Sequence, residues 1–460
     1  MRLILRRLAA VLPLLAAGAL LCVATPGRAA DAPASPPAPV PEPARREFAS
    51  ERLAIHGQLS YVEQETGSFN APYVGANSLS PRIGRESIDA TLALGARLWS
   101  GAEIWLTPEI DQGFGLDNTL GVAGFPSGAA YKVGKDHPYL RLPRAFVRET
   151  VNLGQADEAI EAAPNQLAGA RSPNRWVFTL GKFAVTDVFD SNQYAHDPRA
   201  DFFNWTAIDT GTFDYAADAW GYTIGAAAER YEGDWTLRGG VFDLSNIPNS
   251  EHLEPGGHEF QIIVEAEKRH ELLGQPGKVL ITAFQSRARM GLLDAAVARA
   301  QAAGTSVDIV SVRQYRSRVG VGFSFEQQLA ADLGLFARGG EAAGNVETYE
   351  FTDIDRTVAI GLSLKGTRWS RARDTVGAAA IVNRISAARE RFLDAGGLGV
   401  LIGDGQLPHP GPEQIFEAYY SLAVVAQSFL AVDYQRVTNP GYNRDRGPAS
   451  IFALRVHAQF

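Results

Sequence analysis

Cysteine is almost absent from this chain: among its 460 residues only Cys22 is one. That excludes a disulfide scaffold and any metal centre built on several thiolates. Methionine is nearly as scarce, with two residues. Past the first thirty residues no apolar run approaches the ~20 residues that a membrane helix requires. Positive charge is not in excess either. The formal net charge is −8, and an acidic chain is a poor nucleic-acid partner on electrostatic grounds, so none is expected. Recognisable catalytic spacing is missing as well. His252, Glu254 and His258 lie in a Gly/Pro-bounded loop with no helix to set ligand spacing, and a solvated turn is the stronger reading. The glycines of G-F-G-L-D-N at 113–118 lack the strand–loop–helix setting of a phosphate loop. No nucleophile motif accompanies His56 or His457. The expectation is a protein without metal, cofactor or enzymatic activity.

What is present begins with an export signal. Arg2, Arg6 and Arg7 precede an apolar stretch that ends in small residues, with Gly27 and Ala29 fitting the cleavage positions. Residues 1–29 are therefore read as a signal peptide, with cleavage after Ala30 as the alternative. Its removal takes the only cysteine with it and moves the formal charge from −8 to −12. Residues 30–50 form a proline-rich leader, an extended spacer unable to join a sheet. Residues 51–460 carry the rest of the argument.

The last residues, A-S-I-F-A-L-R-V-H-A-Q-F, put Phe452, Leu454, Val456, Ala458 and Phe460 on one parity and Ala453, Arg455, His457 and Gln459 on the other. In a strand these parities are opposite faces. The same alternation recurs. Ile88, Ala90, Leu92, Leu94, Ala96 and Leu98 form one such face, and Ile104, Leu106, Pro108 and Ile110 form another. Trp220, Tyr222, Ile224, Ala226 and Ala228 make a further set, as do Ile354, Val358, Ile360, Leu362 and Leu364. Residues 175–185 and 277–287 show no clear parity. About sixteen strands follow from this pattern, with connections that alternate short and long. Export, alternation and unequal connections together predict an all-β transmembrane antiparallel barrel of the outer membrane, with short periplasmic turns, long extracellular loops and lipid as its surroundings. The 154–174 connection is long on the predicted periplasmic side, and its D-E-A-I-E-A-A run suggests a small surface helix.

A barrel of this size encloses water. Its polar parity carries both signs, including Asp89, Glu109, Arg144, Arg148, Glu265, Arg338, Glu417 and Arg455. A ring of one sign would select ions; mixed charges suit a solute whose hydroxyls both donate and accept. For any single residue, plain hydration of a wide pore is the commoner role. The 186–218 loop interleaves carboxylates and amides with aromatics, groups that bond sugar hydroxyls and stack on sugar rings.

E-I-D-Q-G-F-G-L-D-N-T-L-G-V-A-G-F-P-S-G at 109–128, P-Y-L-R-L-P-R-A-F-V-R-E-T at 138–150 and G-K-F-A-V-T-D-V-F-D-S-N-Q-Y-A-H-D at 181–197 resemble the bacterial carbohydrate-selective porins, the OprB family. G-T-F-D-Y-A-A-D-A-W-G-Y at 211–222 and the C-terminal strand extend the resemblance over nearly all of the mature chain. It implies a sixteen-stranded barrel passing sugars through a constriction made by inward loops. On this basis Glu109, Asp111, Arg141, Arg144, Arg148, Lys182, Asp187, Asp190, Asn192 and Trp205 are the expected constriction residues. Sugars or other small hydrophilic solutes, outer-membrane lipid and the barrel assembly machinery are the expected partners. Monomer and homotrimer both stay open. A general-diffusion porin is the alternative within the class; a barrel enzyme or an adhesin is the alternative outside it.

Overall fold

A computed structural model describes residues 50–130, 134–156 and 158–460. The expected signal peptide and the leader up to residue 49 lie outside the described residues. The strands, in order, are β1 (Leu53–Thr66), β2 (Gly84–Trp99), β3 (Ala102–Gly113), β4 (Lys135–Asn152), β5 (Glu158–Ile160) and β6 (Gly169–Arg171). Next come β7 (Arg175–Phe183), β8 (Thr223–Glu232), β9 (Trp235–Asp243), β10 (Phe260–Leu272), β11 (Gln275–Met290) and β12 (Gln314–Ala330). The chain ends with β13 (Leu333–Ala342), β14 (Arg356–Gly366), β15 (Arg371–Arg384), β16 (Glu413–Val425), β17 (Ser428–Thr438) and β18 (Ala449–Gln459). Sixteen of them close into one barrel, β4 passing directly to β7 and β18 closing on β1. Neighbours pair antiparallel throughout, and closure leaves no free sheet edge.

The alternation read from the sequence is the inside–outside alternation of this wall. Leu92, Leu94, Leu106, Ile110, Val321, Phe323, Val358, Ile360 and Leu362 are exposed on the outer face. Trp105, Thr107 and Glu109, on the opposite parity to Leu106 and Ile110 of β3, point inward and are buried. The two segments without clear parity resolve the same way. Trp176, Phe178 and Leu180 of β7 and Ile281 of β11 face out, while Val177, Leu280 and Phe284 face in and are buried. Apolar residues stand on both faces there because the inner face of those strands packs against protein. Phe284, for example, meets the ring of Phe213 at 5.3 Å.

Three expectations need correction. Trp220, Tyr222 and Ile354 are not lipid-facing strand residues: β8 starts at Thr223 and β14 at Arg356, and Tyr222 and Ile354 are buried. The surface helix expected in 154–174 is not formed. The segment is instead the β5–β6 hairpin, which pairs only with itself. Seven residues of helix-forming sequence make too few turns to hold a helix in water, and Asn165, at φ 61°, takes the left-handed backbone that turns the chain back. On the C-terminal strand Phe452 and Phe460 are exposed as expected, whereas Leu454 and Val456, on the same parity, are buried.

The barrel seam shows why the terminal aromatic matters. Gly57 and Phe460 exchange both backbone hydrogen bonds at 2.9 Å. A Cβ added at Gly57 would lie 2.1 Å from the Phe460 ring, so the ring occupies the space over the glycine. Deleting Phe460 removes that cover and the last rung of the ladder. It is expected to lower the heat-modifiable folded fraction in outer membranes, and Gly57→Val, which displaces the ring, should cost about 1–3 kcal/mol by overpacking. An unchanged folded yield in both variants would deny the seam this role.

Candidate functional site

The long connection between β7 and β8, residues 184–222, folds into the lumen. Its rings supply the driving force: Phe189, Phe202 and Phe203 are fully buried, and Trp205 and Phe213 are nearly so. Burying a loop obliges its backbone to find hydrogen-bond partners, and the inward-facing wall supplies them. Glu265 accepts from the Asp190 amide at 2.8 Å, Glu326 from Gln193 at 2.6 Å, and Glu417 from Phe203 and Asn204 at 2.5 and 3.2 Å. Arg338 donates to the Asp190 carboxylate and the Ala195 carbonyl, and Arg455 to the carbonyls of Pro198 and Asp201. These wall charges therefore hold an inserted loop; they do not line a wide, hydrated pore.

The connection between β3 and β4 joins it. Glu413 accepts from the amides of Ala123 and Gly124, and the Pro126 carbonyl accepts from Gln64 and Gln435. Phe125 stacks on Trp205 with centroids 5.2 Å apart, and the Trp205 amide donates to the Phe125 carbonyl.

A cavity of about 430 Å³ remains at mid-barrel. Arg144 and Asp187 line it as a two-point pair, Nε to Oδ2 at 2.7 Å and Nη2 to Oδ1 at 2.6 Å. The Arg144 guanidinium lies 5.0 Å from the centre of the Tyr222 ring, and Arg141 lies 5.1 Å from the same ring and 5.7 Å from Trp220. Arg141 is in turn held by Glu109 and Asp111. Arg199 reaches from the loop to Asp89 at 2.8 Å and Glu109 at 3.2 Å. Lys182 is paired with Asp218 at 3.0 Å.

Of the ten residues expected at a constriction, Arg144, Asp187 and Trp205 border this cavity. Arg141, Glu109 and Asp111 stand immediately behind it, and Lys182 is tied to the same loop. Asp190 and Asn192 are not in it. Asp190 is buried against Arg338 and the Thr210 amide, and Asn192 donates to Ser324 and the Phe325 carbonyl, so both serve as anchors. Arg148 belongs lower in the barrel, on Glu103 and the Asn165 carbonyl. Trp220, Tyr222 and Arg199 were the omissions. Parity alone places the two aromatics on the lipid face, although the G-Y step that ends the loop marks where the strand begins.

Burial acts strongly on the loop carboxyls. It pushes Asp187 up, but the charge and hydrogen bonds of Arg144 outweigh it and hold the group below its ordinary range. Asp209 lacks such a partner: burial, then the charge of Asp190, push it up to about 7 against the pull of Arg338. Its folded value exceeds the unfolded one, so its contribution to loop stability is complete at low pH and is lost as pH rises through 7. Amide exchange in residues 203–215 should accordingly be faster at pH 8 than at pH 6 by about tenfold beyond the intrinsic rate, one pKa unit being about 1.4 kcal/mol. Asp209→Asn should flatten that difference; if it persists undiminished, Asp209 is not its source.

Residues 83–460 match the family model described as carbohydrate-selective porin, OprB family. Among curated proteins none matches the chain by sequence. The high-pH structure of Pseudomonas putida OprB superposes with a TM-score of 0.67 at 15% identity, covering 89% of this chain and 94% of that one. The outer-membrane channel DcaP of Acinetobacter baumannii gives 0.50 at 11% identity over 89% and 97%. Such identities speak for the fold, and the family match for the lineage. With a closed sixteen-stranded wall and inward loops, the chain is an outer-membrane β-barrel and belongs to the OprB family of carbohydrate-selective porins.

Proposed function

We propose that sugars cross this barrel through the mid-barrel cavity, one at a time, in contact with Arg144, Asp187, Trp220 and Tyr222. The observation that carries this reading is the Arg144–Asp187 pair set beside the Tyr222 ring. A guanidinium held on two points presents its remaining N–H groups in a fixed plane, suited to paired hydroxyls. The aromatic faces offer a surface for the apolar side of a pyranose. Arg141, Arg144 and Arg199 are each matched by carboxylates, so the narrowest region carries both signs, which favours a neutral solute over an ion.

In the same reading residues 1–29 direct export, residues 30–50 are a spacer, and residues 51–460 are a single porin unit inserted by the barrel assembly machinery. General diffusion of small hydrophilic solutes is the competing function. Conductance of single channels, titrated with monosaccharides and disaccharides, separates the two. Saturable block is expected; conductance without block would assign general diffusion, and no conductance would remove the channel reading.

A further inference from the structure

The lumen is entered from both ends. Besides the loops that descend from the long-connection rim, the β5–β6 hairpin rises from the short-turn rim, and its turn at Pro164–Asn165 sits inside the wall. Thr107, an inward-facing residue of β3, donates to Asn165 Oδ1 at 2.7 Å, and Arg148 donates to the Asn165 carbonyl at 2.9 Å. Two residues on, the Leu167 amide donates to Glu103 at 3.1 Å, and Arg97 holds the Ala168 carbonyl at 3.0 Å. Leu167 itself is buried against the wall. Four wall side chains, from β2, β3 and β4, thus grip Asn165, Leu167 and Ala168 of a hairpin that pairs with no barrel strand.

Pro164 and Asn165 border the mid-barrel cavity together with Arg144 and Asp187. Gln166 and Leu167 border a second cavity of about 450 Å³ below it. The turn is the partition between the two. The lower cavity repeats the chemistry of the upper one. Arg175 lies 3.6 Å over the Tyr231 ring, and the Tyr231 hydroxyl donates to Glu229 at 2.7 Å. A guanidinium, a ring face and a carboxylate again stand together.

We propose that the turn at residues 163–168 is a second constriction, on the periplasmic side, and that the cavity beneath it is a second binding station for the same class of solute, neutral and rich in hydroxyls. Solute leaving Arg144 passes the Asn165 turn and is received by Arg175, Tyr231 and Glu229 before release. The inference rests on the mid-barrel route proposed above and adds an inner gate to it. Two stations in series make exit stepwise, and block by sugar then depends on the side of addition.

The test removes the gate and leaves the wall. The Leu153 amide already bonds the Asn174 carbonyl, so replacing residues 154–173 with Asn-Gly closes a tight hairpin at that point. In planar bilayers the shortened porin is expected to conduct potassium chloride roughly twofold better or more, because its narrowest inner segment is gone, and to lose the difference between sugar block from the two sides. Arg144→Ala in the full-length chain keeps the failures apart: weakened block there with wild-type conductance and sidedness in the shortened chain overturns the inner gate alone. Where the shortened chain does not assemble, Pro164→Cys in a Cys22→Ser background answers the question. Treatment with 2-(trimethylammonium)ethyl methanethiosulfonate from the periplasmic side should cut conductance by about half; undiminished current after modification overturns the proposal.

Discussion

Arg144→Ala is expected to weaken sugar block by about 1.5–3 kcal/mol, roughly ten- to hundredfold, the scale of hydrogen bonds to a charged group. Both points of its grip on Asp187 would be lost, leaving that carboxylate on the Ala184 amide without its counter-charge. The mid-barrel passage would gain net negative charge, so the reversal potential in a salt gradient should move towards cation preference. Arg144→Lys separates charge from geometry. An ammonium restores the sign but not the planar fork, and the expected result is wild-type ion preference with sugar block still impaired. Sugar titration and reversal potential on both variants measure this directly. Wild-type block together with unchanged ion preference in Arg144→Ala would return Arg144 to the ordinary wall.

The second large effect concerns the lipid face. Leu362 is 43% exposed on the outer face of β14, paired in register with Leu335 and Ala378. Leu362→Arg is expected to destabilise the barrel by about 2–4 kcal/mol if the residue lies near the bilayer midplane, since a charge there faces hydrocarbon. Its neighbour Ser363 points inward and is 8% exposed. Because the lumen is filled on that side, Ser363→Arg is also expected to cost stability, about 1–3 kcal/mol, but by overpacking, and it should lower conductance as well. Urea unfolding in lipid vesicles gives the first quantity and bilayer recording the second. Equal losses in both variants, with conductance untouched by Ser363→Arg, would contradict the inside–outside assignment.

Much of the architecture could be read before any coordinates, and the reason is the solvent. Lipid demands an apolar side chain at every second position of each spanning strand and tolerates no free edge. Leu92, Leu94, Val321, Phe323, Val358 and Ile360 state that demand locally, within a few residues of one another. The long phrases at 109–128, 138–150 and 181–197 likewise identified the family without reference to contacts. They placed Arg144 and Asp187 in the right neighbourhood.

The interior was legible only in part. A charge on the inward parity looks the same in the sequence whether it meets water, solute or a folded-in loop. Tertiary structure decided that Glu417 holds the Phe203 amide, 214 positions away, and that Asp190 answers Arg338 across 148. It also turned Trp220 and Tyr222 from apparent lipid contacts into the aromatic wall beside Arg141 and Arg144. The sequence by itself determined a closed barrel, most of its outer face and its family, but not that the 153–174 hairpin enters the lumen. Which inward groups anchor a loop and which face the passage depended on barrel closure. Only closure brings residues so distant along the chain within hydrogen-bonding range, and a buried backbone amide takes the nearest acceptor the wall presents.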